Sequence, residues 1–408
     1  MFTMKVPETK EHYSLDTLDT THSTQLEEQN IIHSTRIGII GGGQLGLMLS
    51  EAARAMGFAS VTVLDPTPQC PASSVAEQIV GSLKDPQSLR LLAERSDILT
   101  YEIEHINTEA LQALQAEGIN SKIYPSPAIL TIIQDKYRQK EFLAQHNIPV
   151  APFLSVDSFI DLEHAIQKWG YPLVLKAKKD AYDGRGNARI NSAEDIEDAL
   201  VKLGERELYV EQCIDLEKEL GLMTARNARG ESVSHPVVEM IHVRDICQTV
   251  IAPARIAEEQ LHRAQEIARQ AIDALSGIGI FGIELFLDKA GKIWLNEIAP
   301  RPHNLGHYTI EACQTSQYVQ HLRAVSNLHL TPTTMLYPVS VMENILGSRN
   351  GPARPRWVRD YDHKHVFVHL YGKRETQIDR KMGHITVVGQ NLDQVYQQAK
   401  EARAALSI

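Results

Sequence analysis

Between Phe281 and His307 the chain reads FGIELFLDKAGKIWLNEIAPRPHNLGH, and two acids in it, Glu284 and Glu297, stand inside runs that otherwise belong in a core. A carboxylate set in an apolar strand costs free energy unless a cation or hydrogen bonds compensate it. Asp288–Gly291 supplies turn residues, so Phe281–Leu287 and Lys292–Ile298 are predicted to pair as a hairpin. If Leu287 pairs with Lys292, the two carboxylates share one face and lie diagonal to each other. That arrangement would hold a hard dication through oxygen ligands beside a polyphosphate. Strict alternation puts Asn296 on the opposite face, so the strand must bend or end near it for all three groups to share a site. The alternative is a hairpin whose acids simply face water.

The next residues, Ala299-Pro300-Arg301-Pro302-His303-Asn304, set a guanidinium, an imidazole and an amide among prolines. Proline fixes the backbone, so the polar side chains are held in place. A planar guanidinium fork suits a small planar anion such as a carboxylate or bicarbonate. A turn with incidental polar residues would explain the prolines but not this grouping after a paired-acid hairpin.

A chain of 408 residues suggests two or three domains, and 43% hydrophobic residues suffice for ordinary cores. No apolar run approaches bilayer length, which argues against a membrane protein. The formal net charge of -10 argues against nucleic acid as the main partner. Cys70, Cys213, Cys247 and Cys313 form no C-x-x-C pair, so neither a zinc site nor a disulfide framework is indicated, and a cytoplasmic setting is expected. Residues 1–35 are polar, lack a secretory core, and read as a mobile tail without a catalytic part.

Arg36–Ile40 reads as a buried strand that enters Gly41-Gly42-Gly43-Gln44-Leu45-Gly46 and a helix over Leu47–Met56. With Val61–Asp65 as a second strand ending in an acid, this matches a dinucleotide fingerprint with Asp65 as ribose partner. The same glycines also serve close helix–strand packing or the binding of any phosphate. Tyr101-Glu102-Ile103-Glu104-His105 follows a strand, at the sheet edge where open α/β folds bind ligands. Ile132–His146 is predicted as one amphipathic helix whose Lys136, Arg138 and Lys140 form a solvated face. Lys176 lies in the apolar strand Tyr171–Ala177, where a lysine is expected to be paired with an anion. Lys178–Asn187, with two glycines and flanking cations, reads either as a flap over phosphates or as a plain hairpin turn. Leu208–Ile214 is a strand carrying Glu211, and Glu219–Arg226 and Val233–Ile241 continue a sheet. Leu261–Leu275 and Ile310–Val325 are predicted helices. After a polar link at Asn327–Thr334 comes a smaller β-rich unit with basic clusters at Tyr371–Arg374 and Arg380–His384.

Taken together, GGGQLGLML, YEIEHI, LVLKAKKDAYDGRGN, LYVEQCI, FGIELF, LNEIAPRPHNLGH and YGK…RKMGH resemble the ATP-grasp superfamily, and within it the 5-(carboxyamino)imidazole ribonucleotide synthases of purine synthesis. The resemblance runs from about Arg36 to the C-terminus. It implies an α/β chain with an ATP-grasp fold, a Rossmann-like preATP-grasp domain over 36–130, an ATP-grasp domain over 131–330 and a small C-terminal β-rich domain over 331–408. In such a fold the glycine turn helps bind a ribonucleotide and no nicotinamide.

The resemblance further implies ATP and Mg2+ as cofactors, and aminoimidazole ribonucleotide and bicarbonate as substrates, joined through carboxyphosphate. Lys136, Lys176, Ala181, Tyr182, Asp183, Gly184, Arg185, Gly186, Asn187, Glu211, Gln212, Cys213, Ile214, Glu219, His242 and Asn296 fall at nucleotide-binding positions. Glu284 and Glu297 fall at the metal site, and Arg301, His303 and Asn304 at the bicarbonate pocket. Tyr182, Asp183, Arg185, Lys373 and Arg380, with Gln44, Leu45 and Glu102, fall at contacts to the aminoimidazole ribonucleotide. Many bacterial members carry arginine where Lys136 stands and glycine where Ala181 stands. A homodimer is implied. The resemblance ends before the ribonucleotide mutase region that some relatives carry. Competing readings are another ATP-grasp ligase, an NAD-linked oxidoreductase resting on Gly41–Gly46, and a nucleotide-binding protein without catalysis.

Overall fold

The computed structural model describes residues 15–179, 186–358 and 364–408. Its first unit is a parallel five-stranded sheet in the order Glu77–Val80, Ser60–Asp65, Arg36–Ile40, Ile98–Tyr101, Lys122–Ile123. The strand order reverses between Arg36–Ile40 and Ile98–Tyr101. Gly41–Gly43 and the Glu102–Asn107 loop therefore emerge side by side at the switch point, where such sheets bind ligands.

A second, antiparallel sheet runs Phe153–Val156, Leu208–Gln212, Leu173–Ala177, Asn187–Ile190. Its inward residues Leu173, Leu175, Ala177 and Val210 pack on Leu162 and Ala165 of one helix and Ala199 and Leu203 of another. The third sheet has nine strands, eight of them in the order Ile293–Ala299, Gly279–Asp288, Leu216–Arg226, Val238–Val243, Ile246–Ala252, Val339–Leu346, Lys381–Gly389, Val366–Leu370. Helix Glu258–Leu275 lays Ala264, Ile267, Ala268, Ala271, Ile272 and Leu275 on Leu220, Leu222, Phe281, Ile283 and Leu285, as its periodicity predicts. His321 ties these units together: it bonds the Thr100 hydroxyl at 2.7 Å and accepts the Ile280 N–H at 3.1 Å.

Several expectations are corrected. Of the mobile tail expected over residues 1–35, residues 1–14 lie outside the described residues, and from there a helix spans Leu15–Ser34; Ile32 is buried, and Glu28 pairs with Arg323 at 2.6 Å and accepts the His329 N–H at 2.8 Å. The helix expected over Ile132–His146 is two helices, Pro127–Gln134 and Lys136–Gln145. Asp135 breaks it, extended in backbone, by accepting the N–H groups of Tyr137 and Arg138 as an N-cap, both at 3.1 Å. The strand expected over Val233–Ile241 is split at Pro236, and a further strand, Ile246–Ala252, follows a turn at Arg244 and Asp245 with φ of 53° and 62°. Two positive φ values make a twist-matched hairpin turn, but Arg-Asp carries no glycine or asparagine to announce it. The Ile310–Val325 helix is interrupted, and Ser316 caps its second part, Gln317–Val325. The C-terminal strands do not stand apart: Val339–Leu346 pairs with Ile246–Ala252 and carries the large sheet onward.

Candidate active site

The acid hairpin forms with a register one residue from that expected. Leu287 pairs with Ile293, Phe286 with Trp294 and Leu285 with Leu295; the register then shifts, and Glu284 stands directly opposite Glu297. Asn296 is the extra residue of a β-bulge. The bulge breaks the alternation: Trp294, Asn296 and Glu297 are all partly exposed, whereas Ile293, Leu295 and Ile298 are buried. The bend that would bring Asn296 to the acids is therefore present.

The two carboxylates press on each other. Burial and the facing Glu297 push the Glu284 carboxyl up to about 7. Burial also opposes ionisation of Glu297, but Lys136, 2.7 Å away, outweighs it and lowers its pKa. The solvated face expected for Lys136 and Lys140 is thus overturned. Lys136 opens the second helix and points at the metal candidate, while Lys140, one turn on, is buried 2.9 Å from Glu211. Glu211 also receives Lys176 at 2.8 Å from the adjoining strand, so the anion partner expected for Lys176 is Glu211. After Glu211, residues 213–215 leave the sheet as a linker between the second and third sheets, with Gln212 and Cys213 donating their N–H groups to Pro152 and Pro172. Glu219 lies one strand from Glu284, paired in register with Phe286, and holds His242 at 2.8 Å. Burial alone would lower the His242 pKa; the Glu219 carboxylate reverses this and raises it.

The anion-pocket candidates adjoin the acids. His303 Nε2 is 3.8 Å from Glu284, and burial with the neighbouring Arg301 holds its imidazole neutral. The buried Gln317 clamps the His303 backbone at both its N–H and its carbonyl, at 2.8 and 2.9 Å. Asn304 and Asn344 exchange amide hydrogen bonds of 2.8 and 2.7 Å. Arg301 forms an ion pair with Glu104, 2.9 Å from Nε to Oε1. Glu104, Lys140 and Asn344 carried no assigned role in the sequence. The signals were there for two of them: Lys140 follows Lys136 at helical spacing, and Glu104 follows Glu102 in a loop at a ligand-binding edge. Lys381, also without a role, adds positive charge beside His303 and Cys247.

Other expected site residues lie at the glycine turn of the parallel sheet and in the C-terminal strands. Leu45 is buried in the apolar core beside Tyr318, so its side chain is closed to a ligand. Gln44 opens the Gln44–Met56 helix beside that turn. Glu102 accepts the N–H groups of Gly43 and Gly46 at 3.0 and 3.2 Å, and Asp65 accepts that of Gly42 at 2.9 Å. The protein's own carboxylates thus take the donors that a dinucleotide pyrophosphate would need, which removes the nicotinamide reading. Arg380 donates to the Glu375 carbonyl at 3.0 Å and is exposed, and Lys373 donates to the Lys381 carbonyl at 2.7 Å. Ala181, Tyr182, Asp183, Gly184 and Arg185 lie outside the described residues. Gly186 and Asn187 resume the chain beside Ala177 and Lys176.

The donor set fits magnesium. Among the described residues no group of three or more His, Cys, Asp or Glu is gathered for a metal. Two carboxylates face each other beside the bulge at Asn296, and Mg2+ beside phosphates needs only one or two carboxylates. Burial first and the facing Glu297 second disfavour the charge on Glu284, and a dication would offset both.

Three family models match the chain in succession: a ribonucleotide synthetase preATP-grasp domain over 34–134, an ATP-grasp domain over 141–318, and a phosphoribosylaminoimidazole carboxylase C-terminal domain over 340–398. Fold and crevice define the class, an ATP-grasp ligase built on a preATP-grasp domain. The chain is 34% identical to the N5-carboxyaminoimidazole ribonucleotide synthase of Staphylococcus saprophyticus, over 89% of this chain and 95% of that protein. It is 43% identical to the phosphoribosylaminoimidazole carboxylase of Ogataea methanolica, and spans 67% of that longer protein. A crystal structure of N5-carboxyaminoimidazole ribonucleotide synthetase from Thermotoga maritima superposes with a TM-score of 0.82 at 45% identity, covering 91% of this chain and 99% of that one. The Aspergillus clavatus synthase in complex with ADP and 5-aminoimidazole ribonucleotide gives 0.82 at 34% identity, over 91% and 100%. The chain belongs to the N5-carboxyaminoimidazole ribonucleotide synthase family.

Proposed function

We propose that this chain carboxylates 5-aminoimidazole ribonucleotide at the expense of ATP and bicarbonate, forming 5-(carboxyamino)imidazole ribonucleotide in purine synthesis. One observation carries the reading: Glu284 faces Glu297 across the bulged hairpin, with Lys136 on one side and the Arg301–Asn304 segment on the other.

Bound Mg2+ would supply charge neutralisation on the transferring phosphoryl group, with Glu284, Glu297 and the Asn296 amide as its holders. Lys136 and Lys176 add positive charge where ATP phosphates would lie, and Glu211 with Gln212, Cys213 and Ile214 gives the linker along which adenine would rest. Glu219 and His242 complete that side. Arg301 orients bicarbonate for attack on the γ-phosphorus; the P–O bond to ADP breaks as the P–O bond to bicarbonate forms. The carboxyphosphate so made loses phosphate, its carbon passes to the exocyclic amine, and that amine gives up a proton. His303, whose charged form burial and Arg301 disfavour, would relay that proton and not retain it. Phosphoryl transfer needs positioning and charge stabilisation more than a protein nucleophile, and these residues supply both. The 181–187 segment, Gln44, Glu102, Lys373 and Arg380 belong to the proposed nucleotide and ribonucleotide contacts.

A homodimer and a cytoplasmic setting are part of the proposal, the latter supported by four unpaired cysteines. No described helix is long and apolar enough to cross a membrane. The test is ADP release with and without bicarbonate and aminoimidazole ribonucleotide. Release that depends on both is expected; release indifferent to either would overturn the assignment. Light scattering that gives the mass of one chain would remove the dimer.

A further inference from the structure

Glu104 sits where the first unit meets the anion pocket. Its Oε2 accepts from Arg301 Nη2 at 3.1 Å, and its Oε1 lies 2.9 Å from Nε as an ion-pair contact without hydrogen-bond geometry, so the carboxylate lies along the Nε–Nη2 edge of the guanidinium. The Pro302 carbonyl accepts from Nη1 at 3.1 Å. Each terminal nitrogen of arginine carries two N–H groups. Among the described residues this leaves one N–H on Nη1 and one on Nη2 for a further acceptor.

Glu104 is itself held. The Gln134 amide donates to the Glu104 carbonyl at 2.6 Å and to the Ile106 carbonyl at 2.9 Å, pinning the loop that follows Ile98–Tyr101. Both members of the pair are largely shielded, with side chains 16% and 21% exposed. An arginine is long and rotamer-rich, and a shielded carboxylate along one edge removes that freedom.

We propose that Glu104 is a positioning residue for the bicarbonate pocket: it fixes the rotation of the Arg301 guanidinium so that the remaining N–H groups face the anion. The pocket is then assembled across two units, the anion-binding arginine from the large sheet and its orienting carboxylate from the parallel sheet. This rests on the reading of Arg301 as the bicarbonate residue.

The experiment measures ADP release against added bicarbonate in carbon dioxide-depleted buffer, at saturating ATP and aminoimidazole ribonucleotide. It compares Glu104→Gln, Glu104→Ala, Arg301→Ala and the double alanine variant. Loss of a charge-assisted hydrogen bond should raise the bicarbonate KM about tenfold in Glu104→Ala. Glu104→Gln keeps shape and one acceptor oxygen, so its rise should be smaller, and the KM for ATP should hold in both. The double variant should be no worse than Arg301→Ala alone, because Glu104 acts only through that side chain. If Arg301→Ala raises the bicarbonate KM while both Glu104 variants leave it unchanged, or if the two losses add, Glu104 has no positioning role. If Arg301→Ala itself leaves the bicarbonate KM unchanged, the pocket reading falls first and takes the proposal with it.

Discussion

Lys140 lies 2.9 Å from Glu211 with both side chains almost sealed from solvent, at 2% and 4% exposure. Glu211 is thereby held between two lysines. Burial opposes its charge, but Lys140 and Lys176 together bring the carboxyl down to about 2. A buried pair broken on one side leaves a charge without its partner, at a cost of about 3 kcal/mol or more. Glu211→Gln, which leaves the buried Lys140 without its anion, is therefore expected to lower the unfolding free energy in urea by that amount, and a double variant with Lys140→Met should recover part of it. An unchanged midpoint would contradict the pairing.

Glu297→Gln removes one proposed metal ligand and also the charge that pairs with Lys136. It is expected to cut bicarbonate-dependent ATP cleavage at least about 100-fold, since charge stabilisation in phosphoryl transfer is worth several kcal/mol. The circular dichroism spectrum should be that of the unaltered protein. Near-normal turnover would remove the metal assignment.

Four buried histidines and the partly exposed His303 make the fold sensitive to acid. Burial brings His235 down to about 4 and His307 and His321 to about 3, and holds His303 and His384 well below the usual range. The unfolded chain takes up these protons near pH 6.5; the native protein does not. Stability is therefore full above that pH and falls as the pH drops toward 4, by roughly 1 kcal/mol per histidine at pH 5.5. His321 gives a clean test, because its Nδ1 accepts the Ile280 N–H and cannot hold a proton without losing that bond. In His321→Gln, the difference in unfolding free energy between pH 7.5 and 5.5 should shrink by about one histidine's share. An identical difference in both proteins would refute the account.

The N-terminal helix is fastened by Glu28, which meets Arg323 with side chains 15% and 14% exposed. Glu28→Gln should cost about 1.5 kcal/mol, the value of a charge-assisted hydrogen bond, and leave kcat unchanged. Thermal unfolding indistinguishable from that of the unaltered protein would show the helix to be loosely attached.

Much of this site was legible in the sequence because its chemistry is local. Two acids in apolar strands, and an arginine, a histidine and an asparagine braced by prolines, declare themselves within 27 residues. What escaped depends on distant packing or on turns without a compositional mark. The bulge at Asn296 follows from pairing with Gly279–Asp288, and no spacing rule yields it. Lys140 looks solvated until Glu211, 71 positions away in the chain, is folded over it. The tail reads as too polar to fold because the groups that hold Glu28, Arg323 and the His329 N–H, lie about 300 residues on.

The continuity of the large sheet has a consequence for any shortened form of the chain. Ile246–Ala252 is an interior strand, with Val250, Ile251 and Ala252 wholly buried, only because Val339–Leu346 lies along it. A protein cut before Val339 would present that strand as a raw, water-repelling border with unpaired amides. Such a fragment should gather into insoluble aggregates instead of behaving as a trimmed enzyme.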